Sequence, residues 1–364
     1  MRIKLFIILT LLILMPCLTV NAADFDLKSG KKISGTYAGD GEEDYNYYKI
    51  TAASNGFIAV SVKTSDKKEL VFDICDKDKQ VVAENISVPN KKTVYHRAEK
   101  GNVYYLKIKG NAGVNYTISY KMQTIDSIKY AKKYDYIFTN ASFNNEKNAV
   151  LYKIKINKSG ILQFMFKTDK PVNVKFTNAK KKAISEAFNV NDNAFSGIGV
   201  KESKIVYAKV WAGQDSSIGT TTLTGVKYQI DLVTAVNGSS KNKARKLSKD
   251  KFTDALVPAG ASTTSWYKFE VKKKQTVSIT IESHMMQNKG KNLLLYICNA
   301  NGKKINTAPI VIDGETSVIY KKKYIMKYPK TTFGTTAEFP EGTYYILVES
   351  KTKISSGAYS IKWK

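Results

Sequence analysis

Histidine, cysteine and arginine are scarce in this chain of 364 residues, and each scarcity closes off a class of function. There are two histidines, His96 and His284, and three cysteines, Cys17, Cys75 and Cys298. That is too few ligands for a structural zinc site. It also leaves little for a Ser-His-Asp or Cys-His relay, and neither Gly-x-Ser-x-Gly nor His-Glu-x-x-His occurs. Both histidines occupy unrelated positions and are expected at the surface or at loop edges. Of the 58 basic residues only Arg2, Arg97 and Arg245 are arginine, so the bidentate readers of guanine and phosphate are missing. Carboxylates for glycoside hydrolysis number 31 and could converge in space, but nothing pairs them in sequence. The chain reads as a non-enzyme.

Long apolar runs are also lacking. Leu5 to Leu14 is one, too short to span a bilayer comfortably. With Arg2 and Lys4 before it and Val20-Asn21-Ala22 after it, residues 1–22 are expected to be a cleaved secretory signal. Acylation at Cys17 would need a small residue where Pro16 stands. Loss of that segment leaves 56 basic against 31 acidic residues, a net charge of +25. Such a protein attracts polyanions in a salt-dependent way. Its lysine richness and export argue against nucleic acid, and its expected place is extracellular or on the cell wall.

What the sequence does have is repetition. Tyr47-Tyr48-Lys49-Ile50, Leu151-Tyr152-Lys153-Ile154 and Trp266-Tyr267-Lys268-Phe269 are one motif. A second strand follows in each copy: Val71 to Asp76, Asn173 to Asn178 and Leu294 to Asn299. Cys75, Thr177 and Cys298 are equivalent there, which indicates a buried small side chain rather than a disulfide. A third strand runs from Val103 to Ile108, Ile205 to Val210 and Thr343 to Val348. Each copy closes on Tyr116-Thr117-Ile118, Tyr228-Gln229-Ile230 or Tyr359-Ser360-Ile361.

The periodicity is two, as in Val277-Ser278-Ile279-Thr280-Ile281, and the runs break at Asn55-Gly56, Ser159-Gly160 and Asn301-Gly302. Alternation points Tyr104, Leu106 and Ile108 inward, matched by Val206, Ala208 and Val210 and by Tyr344, Ile346 and Val348. The expected fold is all-β: three tandem jelly-roll-like β-sandwich domains, at residues 23–122, 123–236 and 237–364. The polar stretch Asn237 to Asn242 is the expected linker, and Lys241 to Lys251 suits a helical turn.

Asp44-Tyr45-Asn46-Tyr47-Tyr48-Lys49-Ile50, the glycine turn and alternating strand after it, and Glu341-Gly342-Thr343-Tyr344-Tyr345-Ile346 together resemble the bacterial pre-peptidase C-terminal domain family. The resemblance covers nearly all of the mature chain. The second copy departs, with Glu202-Ser203-Lys204 in place of the Gly-Thr turn. It implies jelly-roll-like sandwiches on a secreted bacterial protein, often beside a hydrolase, with roles in secretion, solubility or adhesion. The matching motifs are core and turn positions, so no ligand-binding residue carries over.

Two places could hold a partner. Asp40, Glu42, Glu43 and Asp44 around Gly41 suit a weak calcium site, against the plainer reading of a polar hairpin turn. The third copy is interrupted from about Tyr320 to Thr336, where Tyr320, Tyr324, Tyr328 and Phe333 stand among lysines including Lys322. With Trp211, these are the aromatics that do not recur, and they suit an acidic glycan or a protein surface. The expected function is non-catalytic: binding of a cell-surface polymer, glycan or extracellular protein by repeated weak contacts. A secreted hydrolase or inhibitor and a structural spacer stay open beside it.

Overall fold

The computed structural model describes residues 24–39, 45–65, 68–123, 136–190, 195–213, 219–233, 237–285, 293–306, 309–312, 319–321, 325–327, 331–350 and 352–364. The chain divides into two compact units. One is Met1–Thr124 with Thr139–Ala141 and Ser217–Thr220; the other is Ile125–Phe138, Ser142–Ser216 and Thr221–Lys364. The first sequence copy therefore falls in one unit and the other two share the second.

The fold is all-β, with no α-helix among the described residues. The first copy supplies β1 (Asp24–Asp26), β2 (Lys32–Tyr37), β3 (Asn46–Thr51), β4 (Gly56–Thr64), β5 (Leu70–Cys75), β6 (Val81–Val88), β7 (Lys91–Ala98), β8 (Val103–Gly110) and β9 (Val114–Gln123). The second supplies β10 (Tyr136–Thr139), β11 (Val150–Lys155), β12 (Gly160–Thr168), β13 (Val172–Asn178), β14 (Ala183–Val190), β15 (Phe195–Val200), β16 (Ile205–Ala212) and β17 (Thr220–Leu232). The third supplies β18 (Arg245–Lys246), β19 (Thr253–Val257), β20 (Thr264–Val271), β21 (Gln275–Met285) and β22 (Leu293–Cys298). It continues with β23 (Ile310–Ile312), β24 (Ile319–Lys321), β25 (Ile325–Lys327), β26 (Thr331–Phe339), β27 (Gly342–Ser350) and β28 (Gly357–Trp363).

One strand order recurs. β1-β3-β8-β5-β6 matches β18-β20-β27-β22-β23, and β11-β16-β13-β14 is the same sheet without the first edge strand. The partner layers pair in the orders β7-β4-β9-β2, β15-β12-β17-β10 and β26-β21-β28-β19. Even the edge strand is shared: Phe25 lies beside Tyr48 and Arg245 beside Tyr267, both in parallel pairing.

Alternation builds the cores. Tyr48 and Ile50, Tyr152 and Ile154, and Tyr267 and Phe269 are all buried while their neighbours are less so. In the third copy Tyr267, Phe269 and Ile346 of one sheet and Val277, Ile279, Ile361 and Trp363 of the other form a single cluster, so the two layers pack face to face. Each such side chain contributes roughly 1.5–3 kcal/mol on burial. Cys75, Thr177 and Cys298 are all buried, and both cysteines are free thiols.

Two copies tie their layers with a tyrosine pair. The Tyr48 and Tyr116 hydroxyls meet at 2.7 Å with rings 6.3 Å apart, and Tyr267 and Tyr359 repeat both distances. Here the sequence alignment of the second copy needs correction. Tyr116 stands opposite Thr64, and the residue opposite the equivalent Thr168 is Leu223, not Tyr228. A bulge in β17, with Gly225 at φ 59°, adds a residue and shifts the frame. Tyr228 instead matches Tyr120: their hydroxyls donate to the carbonyls of Lys155 and Thr51.

The missing glycine turn of the second copy is filled by Ser203 at φ 62°, whose N–H donates to Ile156 as that of Gly101 does to Ala52. Within the second unit, copies two and three meet backbone to backbone. The Gly199 N–H donates to Ser356 Oγ at 2.6 Å, and its carbonyl accepts from Ala259 at 2.9 Å. A Cβ at Gly199 would lie 2.3 Å from the Val257 carbonyl oxygen, so only glycine fits this approach. The expected linker is likewise docked. The Trp266 N–H donates to Gly238, the Asn237 amide donates to Leu256, and Lys241–Lys243 forms one 3-10 turn.

Candidate functional site

Asp40, Glu42, Glu43 and Asp44, and with them Lys322, Tyr324 and Tyr328, lie outside the described residues. Tyr320 is in β24, opposite Met326 of β25. Phe333 is not in a loop, because it sits in β26 opposite Ile281, and strand resumes at Thr331. The interruption is therefore shorter than the sequence suggests. Trp211 lies in β16 opposite Asn173 and leaves 8% of its surface exposed, too little for a stacking platform. Among the described residues no cluster of three His, Cys, Asp or Glu side chains could hold a metal ion.

His96 is not a surface residue. It lies inside the first copy, 6% exposed, with Nδ1 2.8 Å from Thr139 Oγ1 and its ring 4.7 Å from that of Tyr104. Burial lowers its pKa to about 4, so it is neutral at ordinary pH. Burial likewise pushes the Cys75 thiol up to about 11 and raises that of Cys298, so neither is a ready thiolate.

What the structure brings together instead is a turn, built three times over. Asp76 Oδ1 accepts from the N–H groups of Asp78 and Gln80. Asn178 Oδ1 does the same for Lys180 and Lys182, and Asn299 Oδ1 for Asn301 and Lys303. An Asp or Asn that ends its strand can fold the chain back in this way. The fourth residue of each turn is left-handed: Lys79 at φ 59°, Lys181 at φ 58° and Gly302 at φ 82°.

That backbone twist aims a lysine over an aromatic ring on the outer face of the sheet. The Lys79 amine is 4.4 Å from the Tyr47 ring centre and 5.1 Å from that of Tyr105. Lys181 lies 5.7 Å from the ring of Tyr207, the register equivalent of Tyr105. In the third copy glycine replaces the turn lysine and Lys241 crosses from the linker. Its amine lies 5.6 Å from the ring of Tyr345, and a Cβ on Gly302 would meet its Cδ at 2.8 Å. All lie within cation–π range. Tyr47 and Tyr105 meet edge to face at 6.2 Å, and Trp266 and Tyr345 repeat this at 6.3 Å. A hydrogen bond to Asp24, first, raises the pKa of Lys79, which stays charged.

These residues were legible in part. Recurrence marks these tyrosines as core, but Tyr47, Tyr105 and Tyr345 are only half-buried and stand on the outer face. The lysines carried no sequence signal, because Lys241 comes from a different segment from the turn it serves.

No known protein family matches this chain, and no curated protein does. Among solved structures, tripeptidyl peptidase 2 is similar at TM-score 0.21 and 9% identity, over 94% of this chain and 32% of its own. This chain thus spans about a third of that protein. The lipid-containing bacteriophage PM2 gives 0.15 and 9%, over 91% of this chain and 98% of its own. The ANX1 ectodomain of Arabidopsis thaliana gives 0.19 and 10%, over 93% and 89%. Likenesses this distant carry no argument.

Proposed function

We propose that this protein is an exported, non-catalytic binding or accessory protein, built of sandwich modules of the pre-peptidase C-terminal type. It holds an anionic polymer of a cell surface or its surroundings by repeated weak contacts. The observation that supports this is the recurrence of a lysine amine over a ring at the same turn of all three copies. Where Gly302 takes the lysine position, the amine comes from another segment: Lys241 reaches the ring and also donates to the Ala300 carbonyl of the turn at 3.1 Å. A net charge of +25 without residues 1–22 favours encounter with polyanions, and three linked sites gain by avidity what each lacks in affinity. The buried His96 and the two buried thiols offer no nucleophile–base pair, which favours binding over hydrolysis.

The test is retention on immobilised heparin, as a generic acidic glycan, beside immobilised neutral dextran. The protein should bind heparin at low salt, elute as salt rises and pass through dextran. Flow-through on both resins would reject the reading.

A further inference from the structure

On the outer face of the strands β7-β4-β9-β2 in the first copy, two adjacent rows carry only lysine, serine and threonine side chains. Across the strands, Lys32 lies beside Ser119, Ser119 beside Ser61, and Ser61 beside Thr93. In the next row Ser34 lies beside Thr117, Thr117 beside Lys63, and Lys63 beside Lys91. Their alternate neighbours Val62, Val94, Tyr116 and Ile118 are buried, so these rows face out. At one corner Ser34, Thr36, Lys63, Ser65, Asn115 and Thr117 line an open cleft of about 440 Å³. Its polar groups are preset in pairs: the Ser34 and Thr117 hydroxyls at 3.0 Å, and Thr36 Oγ1 donating to Asn115 Oδ1 at 2.6 Å.

One arrangement here would be relieved by an anion. Lys63 and Lys91 are direct cross-strand partners, and like charges so placed destabilise a sheet. Neither they nor Lys32 have an ion pair among the described residues. The fold does not require this. In the third copy the register places Glu282 where Lys63 stands and Asp254 where Ser34 stands, with Ser360 donating to Asp254 at 2.6 Å. The same sheet thus accepts the opposite charge.

We infer that this face seats an acidic polysaccharide, with one anionic group between Lys63 and Lys91 and sugar hydroxyls against Ser34, Thr36, Ser61, Thr93 and Asn115. The inference rests on the polyanion-binding reading above and gives it a site separate from the lysine–ring turns. Paired hydroxyls and an amide match a polyol, whereas a nucleic acid would want rings for its bases, and Tyr95 on this face is buried. A membrane would want exposed apolar side chains, and these rows offer none.

The test uses the full chain and its Lys63→Ala/Lys91→Ala variant. Affinity is measured for polygalacturonate, with neutral dextran, duplex DNA and anionic lipid vesicles alongside. The variant should lose about tenfold or more in affinity for polygalacturonate, the order expected from one charge-assisted contact. Its thermal midpoint should hold or rise, since the like-charge pair is gone. If the parent binds polygalacturonate and the variant binds it within twofold, the site is wrong while the broader reading stands. If the parent prefers DNA or vesicles, the polysaccharide assignment is wrong. If the parent binds no polyanion, both fall.

Discussion

Acidification should find His96 first. Its imidazole is neutral in the folded protein down to a pKa of about 4, against an ordinary value of 6.5. The folded pKa is depressed, so protons bind the unfolded chain more readily. Stability is therefore full above pH 6.5 and falls as pH drops from there towards 4. The gap is about 2.5 pH units at 1.36 kcal/mol each, or about 3 kcal/mol lost from the first copy. Ion-paired carboxylates contribute lower down: the pKa values of Glu146 and Glu270 are lowered, so their contribution is lost only below the ordinary carboxylate range. Urea unfolding of the parent and of His96→Gln, followed by tyrosine signals between pH 7 and 4.5, isolates the histidine. The parent should lose stability across this window and the variant should stay nearly flat. A proton NMR titration adds a direct reading, with two histidines to resolve. If both imidazoles titrate near 6.5, or if parent and variant respond alike, the burial argument is refuted.

Tyr359→Phe removes the hydroxyl that meets Tyr267 and should cost about 1–2 kcal/mol, read as a lower urea midpoint of the third copy; no change would show that the pair contributes nothing. Gly199→Ala places a Cβ against the Val257 carbonyl and should cost about 1–3 kcal/mol, with copies two and three no longer melting together; an unchanged single transition would contradict the close-contact account. Limited proteolysis should cut slowly at Asn237 to Lys243, because that segment is hydrogen-bonded to the third copy, and rapid cleavage there would show that it is not.

Period-two alternation and recurrent tyrosines made the strands and much of the core readable from sequence. Tyr48, Tyr152 and Tyr267 are buried at matching register, and Cys75, Thr177 and Cys298 share one small buried place. Tyr228 misled because a single bulge residue slips the frame while leaving a Tyr-x-Ile pattern intact. His96 misled because a lone polar residue among Tyr95, Arg97 and Lys92 gives no sign of facing the core. The linker read as a tether because its ties, such as Trp266 N–H to Gly238 and the Asn237 side-chain amide to Leu256, all end on backbone carbonyls, which composition does not encode. The ring-and-lysine turns were hidden: recurrence made Tyr105 look like core, and only the left-handed turn brings Lys79 over it.

The claim that binding is spread over three equivalent turns is tested by removing their amines one at a time. Lys79→Gln, Lys181→Gln and Lys241→Gln keep the chain length and tolerate the same backbone. Affinity for heparin at fixed low salt, with its dependence on salt, is measured for the single, double and triple variants. The account predicts a stepwise loss with a shallower salt dependence at each step. A triple variant that binds with the parent's affinity and salt dependence would contradict it.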